Sequence, residues 1–242
     1  MKPTLSIIIP MYNETAILPD TVRSLLSFLD TLTEPTEILL VDDGSTDGSA
    51  DTARQCIGGD TRIRVTGYAQ NRGKGGAVRH GVLESRGDYV VYTDCDLAYG
   101  TDAVRDIARA LADNDNKDIM IGSRNLSADG YRTYTPLRRM MSKTYIFVIR
   151  TAAGFRLSDS QCGIKCFRGE AARRIFSMCQ INSFAFDLEA LLIADKLKYR
   201  IGEFPVSVVN HRDSGSKVHV LGDTLHMLRD IRRIKARIKH LC

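Results

Sequence analysis

Short apolar runs alternate with longer amphipathic stretches through the first half of the chain. The runs are rich in β-branched and aromatic residues, and they predict strands at 5–10, 37–41, 63–65, 89–92 and 118–122. The intervening stretches repeat apolar residues at helical spacing, and they predict helices at 16–32, from 47–49 onward, from 77 onward and at 102–113. This alternation predicts an α/β fold, with a mostly parallel central sheet and helices on both faces.

The second half of the chain is less regular. A polar turn that begins at Asp159 leads into a predicted strand ending near Phe167, and helices are predicted at 169–178 and 184–197. The run 201–209 predicts a further strand. Pro205 lies within it and favours an edge position, because proline lacks the N–H that a central strand requires.

Two aspartates follow directly on the predicted strand 89–92. Asp94 and Asp96 are two positions apart, so in extended chain they point to one side while Cys95 points to the other. Converging carboxylates are unfavourable without a cation between them, and their oxygens suit Mg2+ or Mn2+, which can also hold a diphosphate. The alternative is that the pair only begins a loop and caps the next helix.

Three of the predicted strands end in polar or acidic loops, at 10–14, 42–48 and 93–97. Because the carboxyl ends of parallel strands meet at one edge, these loops are expected to line one crevice with Asp42, Asp43, Asp94 and Asp96. Such a crevice suits a nucleotide diphosphate with a metal. The loop 71–76 lacks the complete P-loop pattern, and no Gly-x-Gly-x-x-Gly follows the first strand. A P-loop ATPase and a dinucleotide-binding dehydrogenase are therefore disfavoured.

Composition narrows the class of protein further. The 242 residues are 43% hydrophobic and carry a net charge of +5, which fits nucleic acid, an anionic membrane surface or phosphorylated small molecules. No run approaches the ~18 apolar residues of a membrane-spanning helix, and the N-terminus shows no signal peptide. The six cysteines lack Cys-x-x-Cys spacing. We interpret them as reduced thiols of a cytosolic protein, rather than disulfides or zinc ligands.

Two segments combine cations with apolar residues. The stretch from Pro136 to residue 150 predicts a helix that is either a core helix with cationic ends or a helix at a membrane surface. The tail 225–241 predicts a basic amphipathic helix. Its cationic face is either simply solvated or attracted to anionic lipid.

Nine motifs now appear in order along the chain: IIIPMYNE, LLVDDGSTDGS, NRGKGGAV, YTDCDLA, GSRN, RRMMSK, DSQCGIKCF, FAFDLEALLIA and SGSK. In order and spacing they resemble the glycosyltransferase family 2 enzymes of GT-A fold. The likeness covers nearly the whole chain and is strongest to the polyprenyl-phosphate sugar synthases, which include dolichyl-phosphate glucosyltransferases and dolichol-phosphate mannosyltransferases. It implies one GT-A domain over 1–242, with a nucleotide-sugar half at 1–125, an acceptor half at 126–217 and the basic helix at 218–242.

The resemblance also implies roles for individual residues. Asp94 and Asp96 would hold Mg2+ or Mn2+ and the diphosphate, and Asp159 and Lys217 would act with them in catalysis. The residues that would hold the nucleotide-sugar are Pro10, Tyr12, Asn13, Glu14, Asp42, Asp43, Lys74 and Arg212. The residues that would contact the acceptor phosphate are Arg124, Arg138 and Ser142. Leu97 and Ala98 follow where some family members have a further polar metal ligand.

The reaction so implied is an inverting transfer of a hexose, glucose from UDP-glucose foremost, to dolichyl or undecaprenyl phosphate. The enzyme would work peripherally on the cytosolic face of a membrane, directly or through a membrane-spanning partner protein. A GDP-mannose-dependent mannosyltransferase is the nearest alternative. A hydroxyl acceptor would instead need a base, for which Asp159, Asp187 and Glu189 are candidates. A non-catalytic nucleotide or nucleic-acid binder is a further alternative, although no basic-aromatic stacking surface is evident.

Overall fold

The computed structural model describes residues 4–131, 140, 143, 144, 146, 147, 151, 154, 157–183, 185–210 and 220–239. The predicted helix from Pro136 to residue 150 therefore falls largely outside the described residues. So do four of the predicted site residues, namely Arg138, Ser142, Arg212 and Lys217.

Seven strands and seven helices have both ends among the described residues, and residues 140, 143, 144, 146, 147 and 151 are helical as well. The strands are β1 Leu5–Met11, β2 Thr36–Asp43, β3 Ile63–Tyr68, β4 Tyr89–Tyr92, β5 Ile119–Ser123, β6 Lys165–Arg168 and β7 Ile201–Pro205. The helices are α1 Leu18–Leu29, α2 Ser49–Ile57, α3 Lys74–Glu84, α4 Gly100–Ala112, α5 Gly169–Met178, α6 Phe186–Lys196 and α7 Val220–Ile238. Every strand predicted from the sequence is present. β7 ends at Pro205 rather than at residue 209, and α7 begins five positions before the predicted start.

All seven strands form one sheet in the order β3-β2-β1-β4-β6-β5-β7. The pairs β1–β2, β1–β4, β2–β3 and β5–β7 are parallel, whereas β6 runs antiparallel to both of its neighbours. β7 occupies the predicted edge position. The strand order reverses beside β1, and ligands of open α/β sheets bind at such a switch point, outside the carboxyl ends of the strands.

Successive residues of the central strands face opposite sides of the sheet, and each side carries its own core. Ile8 packs with helices α3, α5, α6 and α7, whereas Ile7 and Ile9 pack with α1, α2 and α4. All three isoleucines are fully buried. The predicted helix-covered sheet is therefore confirmed, and both of its faces are used to bury apolar surface.

The basic tail is a docked helix. Ile231, Ile234 and Ile238 of α7 are buried in the core on the α3 side of the sheet. Arg237 adds an ion pair to Glu189 of α6 and a hydrogen bond to the carbonyl of Met178 (2.8 Å). The cations on the outer face of α7 remain exposed to solvent.

Candidate active site

The loops after β1 and β2 lie side by side and are hydrogen-bonded to each other. Asn13 donates its backbone N–H to Ser45 Oγ (3.0 Å), and its side-chain oxygen accepts the N–H of Thr46 (2.9 Å). Thr15 donates its backbone N–H (3.1 Å) and its hydroxyl (3.0 Å) to Asp47. The φ of Asn13 is 55°, a left-handed conformation that asparagine tolerates better than most residues. These bonds fix the shape of the crevice wall.

The remaining residues predicted to hold the nucleotide on these two strands lie at the same edge. Pro10 lies at the end of β1, and the Tyr12 ring beyond it is 46% exposed. Glu14 is partly buried and donates its N–H to Ser49 Oγ (2.8 Å). Asp42 ends β2 beside Asp43 and accepts the N–H of Ser45 (3.1 Å). The structure thus brings the predicted set together at the β1–β2 edge.

Asp43, which was predicted to contact the nucleotide, is bonded to groups of the chain itself. Its buried carboxylate accepts four hydrogen bonds, from Tyr68 Oη (2.6 Å), Asn71 Nδ2 (2.9 Å) and the backbone N–H groups of Arg72 (2.9 Å) and Gly73 (2.8 Å). A carboxylate has about four acceptor sites, so this set fills its capacity. Asp43 therefore shapes the loop that begins α3, and contact with a base or ribose would cost one of these bonds.

Asp94 and Asp96 follow β4 at the switch point beside β1, and Asp94 already has a cation. It forms an ion pair with Nζ of Lys74, the first residue of α3. Asp96 Oδ1 accepts the backbone N–H of Ala98 (3.1 Å). Gly163 lies directly against Asp94, and a methyl group at this glycine would collide with the Asp94 Oδ2 atom.

The surroundings of Asp96 raise the pKa of its carboxyl group. Burial raises the pKa of Asp96, and the negative charge of Asp94 raises it further, which outweighs the hydrogen bond from Ala98 and the attraction of Lys74. Asp96 is therefore a carboxylate short of positive charge. Leu97, the next residue, is buried in the core with a φ of 48°, so an apolar side chain stands where a further metal ligand was considered. Among the described residues, no three His, Cys, Asp or Glu side chains are grouped as metal ligands.

One buried ion pair contains a lysine that was not among the predicted site residues. Lys165 is fully buried and donates to Asp187 Oδ1 (2.8 Å) and to the carbonyl oxygen of Cys162 (2.6 Å). The hydroxyl of Tyr92 donates to the same Asp187 oxygen. Burial raises the pKa of Tyr92 well above its ordinary value, and the negative charge of Asp187 raises it further. The only signal in the sequence was a lysine inside the apolar run 164–167.

Arg124 and Asp159 form a second buried ion pair. Asp159 is fully buried and Arg124 is 9% exposed. Nε of Arg124 lies 2.7 Å from Oδ2 and Nη2 lies 2.9 Å from Oδ1, and the backbone N–H of Arg124 also donates to Oδ2 (3.1 Å). Burial lowers the pKa of Arg124, but the bond to Asp159 outweighs it and raises this pKa well above the ordinary value. Asp159, which was predicted to act in catalysis, is thus bound to Arg124, which was predicted to contact the acceptor phosphate.

Glu189 is also fully engaged. One of its oxygens pairs with Arg237, and the other accepts the N–H groups of Gln180 (2.9 Å) and Ile181 (2.7 Å). Each of the three carboxylates considered as a base for a hydroxyl acceptor, Asp159, Asp187 and Glu189, is therefore bonded to a cation.

The profile of the family described as "Glycosyl transferase family 2" matches residues 6–176, which is more than half of the chain. This chain belongs to glycosyltransferase family 2. The predicted enzyme class is thereby confirmed. Two relatives named dolichyl-phosphate beta-glucosyltransferase, from Dictyostelium discoideum and Homo sapiens, are 35% and 33% identical to it. The alignments cover 96% of this chain, with 74% of the Dictyostelium protein and 75% of the human protein.

Solved structures show the same fold at lower identity. Glucosyl-3-phosphoglycerate synthase from Mycobacterium tuberculosis, in complex with Mg2+ and uridine diphosphate, superposes with a TM-score of 0.68 at 19% identity. Its complex with Mn2+, UDP-glucose and phosphoglyceric acid superposes with a TM-score of 0.65, also at 19% identity. Both comparisons cover 96% of this chain and 78% of the other. The predicted GT-A fold is thereby confirmed. Within the described ranges, no helix is long and apolar enough to cross a membrane.

Proposed function

We propose that this glycosyltransferase moves glucose, with inversion, from UDP-glucose to a polyprenyl phosphate such as dolichyl phosphate. The relatives that share a third of its sequence over nearly its whole length carry the name of that activity. The observation that carries the choice of acceptor is the state of the candidate bases. Asp159, Asp187 and Glu189 are all held by cations, so none of them is a free base for a hydroxyl.

A phosphate monoester removes the need for such a base. Its second pKa is about 6, so the attacking oxygen is already largely ionised at neutral pH. The enzyme then has to position two anions and neutralise the leaving diphosphate. Arg138 and Ser142, with Arg124 on the side not taken by Asp159, are the residues we assign to the acceptor phosphate. Arg212 and Lys217 are assigned to the diphosphate. Arg124 is among the described residues; the other four lie outside them.

The donor site has the chemistry that a divalent ion requires. Asp94 and Asp96 supply carboxylate oxygens, and the raised pKa of Asp96 reflects burial and a neighbouring negative charge that a cation would relieve. Mg2+ or Mn2+ bound there would neutralise charge on the diphosphate oxygens. The solved neighbours are complexes of other enzymes with Mg2+ or Mn2+ and uridine diphosphate, and they support this assignment. Tyr12, Asn13 and Asp42 are assigned to the nucleoside, and Lys74 to the diphosphate.

The acceptor lies in a bilayer, so we propose peripheral association with the cytosolic face of a membrane. Part of the support is the outer face of α7, which exposes cations that form no ion pair with any described residue: Arg229, Arg232, Arg233 and Lys239. Asp230 of the same helix accepts a hydrogen bond from Ser183 Oγ (3.5 Å), and the neighbouring Asn182 carbonyl accepts the N–H of Gly75 in α3, so this helix lies near the start of α3. Exposed Met140 and Phe147 offer apolar contacts. A membrane-spanning partner protein is the alternative means of attachment.

The proposal is tested with a panel of UDP-glucose and GDP-mannose against a short-chain polyprenyl phosphate and the matching free polyprenol. We expect transfer from UDP-glucose to the phosphate, no transfer to the alcohol, and loss of transfer in EDTA that Mg2+ or Mn2+ restores. Preferential use of the alcohol would overturn the choice of acceptor. Preferential use of GDP-mannose would overturn the choice of donor, and activity in a fully metal-stripped enzyme would overturn the role of the metal.

A further inference from the structure

The backbone of Lys74 is held on both sides. The preceding N–H, of Gly73, donates to Asp43 (2.8 Å), and the following N–H, of Gly75, donates to the carbonyl of Asn182 (2.9 Å). Gly73 has a φ of 98°, and a side chain there would collide with the same Asn182 carbonyl. The start of α3 is thus fixed against its surroundings. Any change in the position of the Lys74 ammonium must come from the four-carbon side chain, which is flexible.

That side chain places its ammonium among carboxylates. Nζ forms a hydrogen-bonded ion pair with Asp94. Asp187 already forms an ion pair with Lys165 (2.8 Å). The side chains of Lys74 and Asp94 are still 23% and 33% exposed, so a ligand can reach the pair.

We propose that Lys74 is a resident cation that occupies the Asp94 carboxylate until the metal and the nucleotide arrive together, and then moves to the diphosphate. The inference rests on the proposed function, because it takes Asp94 and Asp96 as the metal ligands. A divalent ion cannot approach Asp94 freely while an ammonium is bonded to it, since like charges repel strongly in a partly buried site. The diphosphate offers the displaced ammonium a new anionic partner, so the nucleotide relieves this repulsion.

The exchange couples the two ligands. Without nucleotide, Lys74 weakens metal binding; with nucleotide, the same residue strengthens binding of the metal–diphosphate pair. The nucleotide must therefore raise the affinity for the metal, and the metal must raise the affinity for the nucleotide by the same factor. Lys74 contacts Asp94 in one state and the diphosphate in the other, so its signature is an effect of opposite sign in the two states.

The experiment measures Mn2+ binding to the full chain by the loss of the free-ion EPR signal, with and without UDP, in wild type, Lys74→Gln and Lys74→Met. Arg72→Gln is the matched control. It removes one positive charge from the same loop, but Arg72 lies over the Tyr68 ring and has no bond to Asp94. Circular dichroism and thermal unfolding of each variant verify that the fold is retained.

We expect both Lys74 variants to bind Mn2+ alone about tenfold more tightly than wild type, and Mn2+ with UDP more weakly, which lies within the usual range of coupling between sites. The Arg72 variant should keep the wild-type affinity for Mn2+ alone. Unchanged or weaker binding of Mn2+ alone in both Lys74 variants would overturn the resident-cation role, even if UDP binding falls and the proposed function stands. Absence of Mn2+ binding in wild type with UDP would overturn the inference together with the metal site.

Discussion

The substitution Asp159→Ala tests whether Asp159 stabilises the fold through its buried ion pair with Arg124 or acts in catalysis, as the family resemblance implied. Asp159 accepts the three hydrogen bonds described above from Arg124, at 2.7, 2.9 and 3.1 Å. Its removal leaves a guanidinium that is 9% exposed without its carboxylate. Breaking a buried pair in this way costs about 3–5 kcal/mol.

The measurement is thermal and denaturant unfolding of the ligand-free protein. For a chain of this length the loss corresponds to a melting temperature lower by about 10 °C. Replacing both partners with apolar residues, in Arg124→Met with Asp159→Leu, should recover much of the lost stability, because no charge is then left unpaired. The two single variants and the double variant together give the coupling energy of the pair.

A different pattern would refute the ion-pair reasoning. If Asp159→Ala unfolds like wild type and still loses transfer activity, Asp159 acts on the substrate, as the family resemblance implied. A double variant no more stable than Asp159→Ala would also refute the ion-pair reasoning, because the loss of stability would then not arise from the separation of Arg124 from its carboxylate.

Three further predictions concern the crevice and the membrane. Asp96→Asn should raise the melting temperature of the ligand-free protein at neutral pH, because a carboxyl with a raised pKa costs stability once pH rises through that value; Mn2+ binding in the presence of UDP, followed by EPR, should weaken more than about tenfold. Gly163→Ala should displace the Asp94 carboxylate and lower kcat about 100-fold with the fold retained, as followed by transfer assay and circular dichroism. Arg232→Gln with Arg233→Gln should lower partition to anionic liposomes about 30-fold in flotation, from about 1 kcal/mol per cation, and leave partition to neutral liposomes unchanged. A lower melting temperature of Asp96→Asn would contradict the first prediction, and an unchanged kcat of Gly163→Ala the second. Flotation of the Arg232 and Arg233 variant with anionic liposomes equal to that of wild type would contradict the third.

The sequence by itself determined the order of the elements and the edge at which the site lies. Burial on both faces makes a parallel strand a continuous apolar run, and a helix of the same fold repeats every three to four residues. Both patterns are local, so β1 to β5 could be predicted from the amino-acid sequence. The position of Asp94 and Asp96 directly after β4 then placed them at this edge, and the order of the motifs indicated the family.

Only the tertiary structure decided how the charged residues are paired. Lys165 and Asp187 are 22 positions apart, and Arg124 and Asp159 are 35 positions apart. The antiparallel entry of β6 between β4 and β5 was likewise not predicted, and this strand carries Lys165. Hydrophobic periodicity records whether a position is buried, but a charge is stabilised by whichever opposite charge the folded chain brings near it. That partner depends on long-range packing, and for this reason the sequence did not show that the three candidate bases for a hydroxyl acceptor are held in ion pairs.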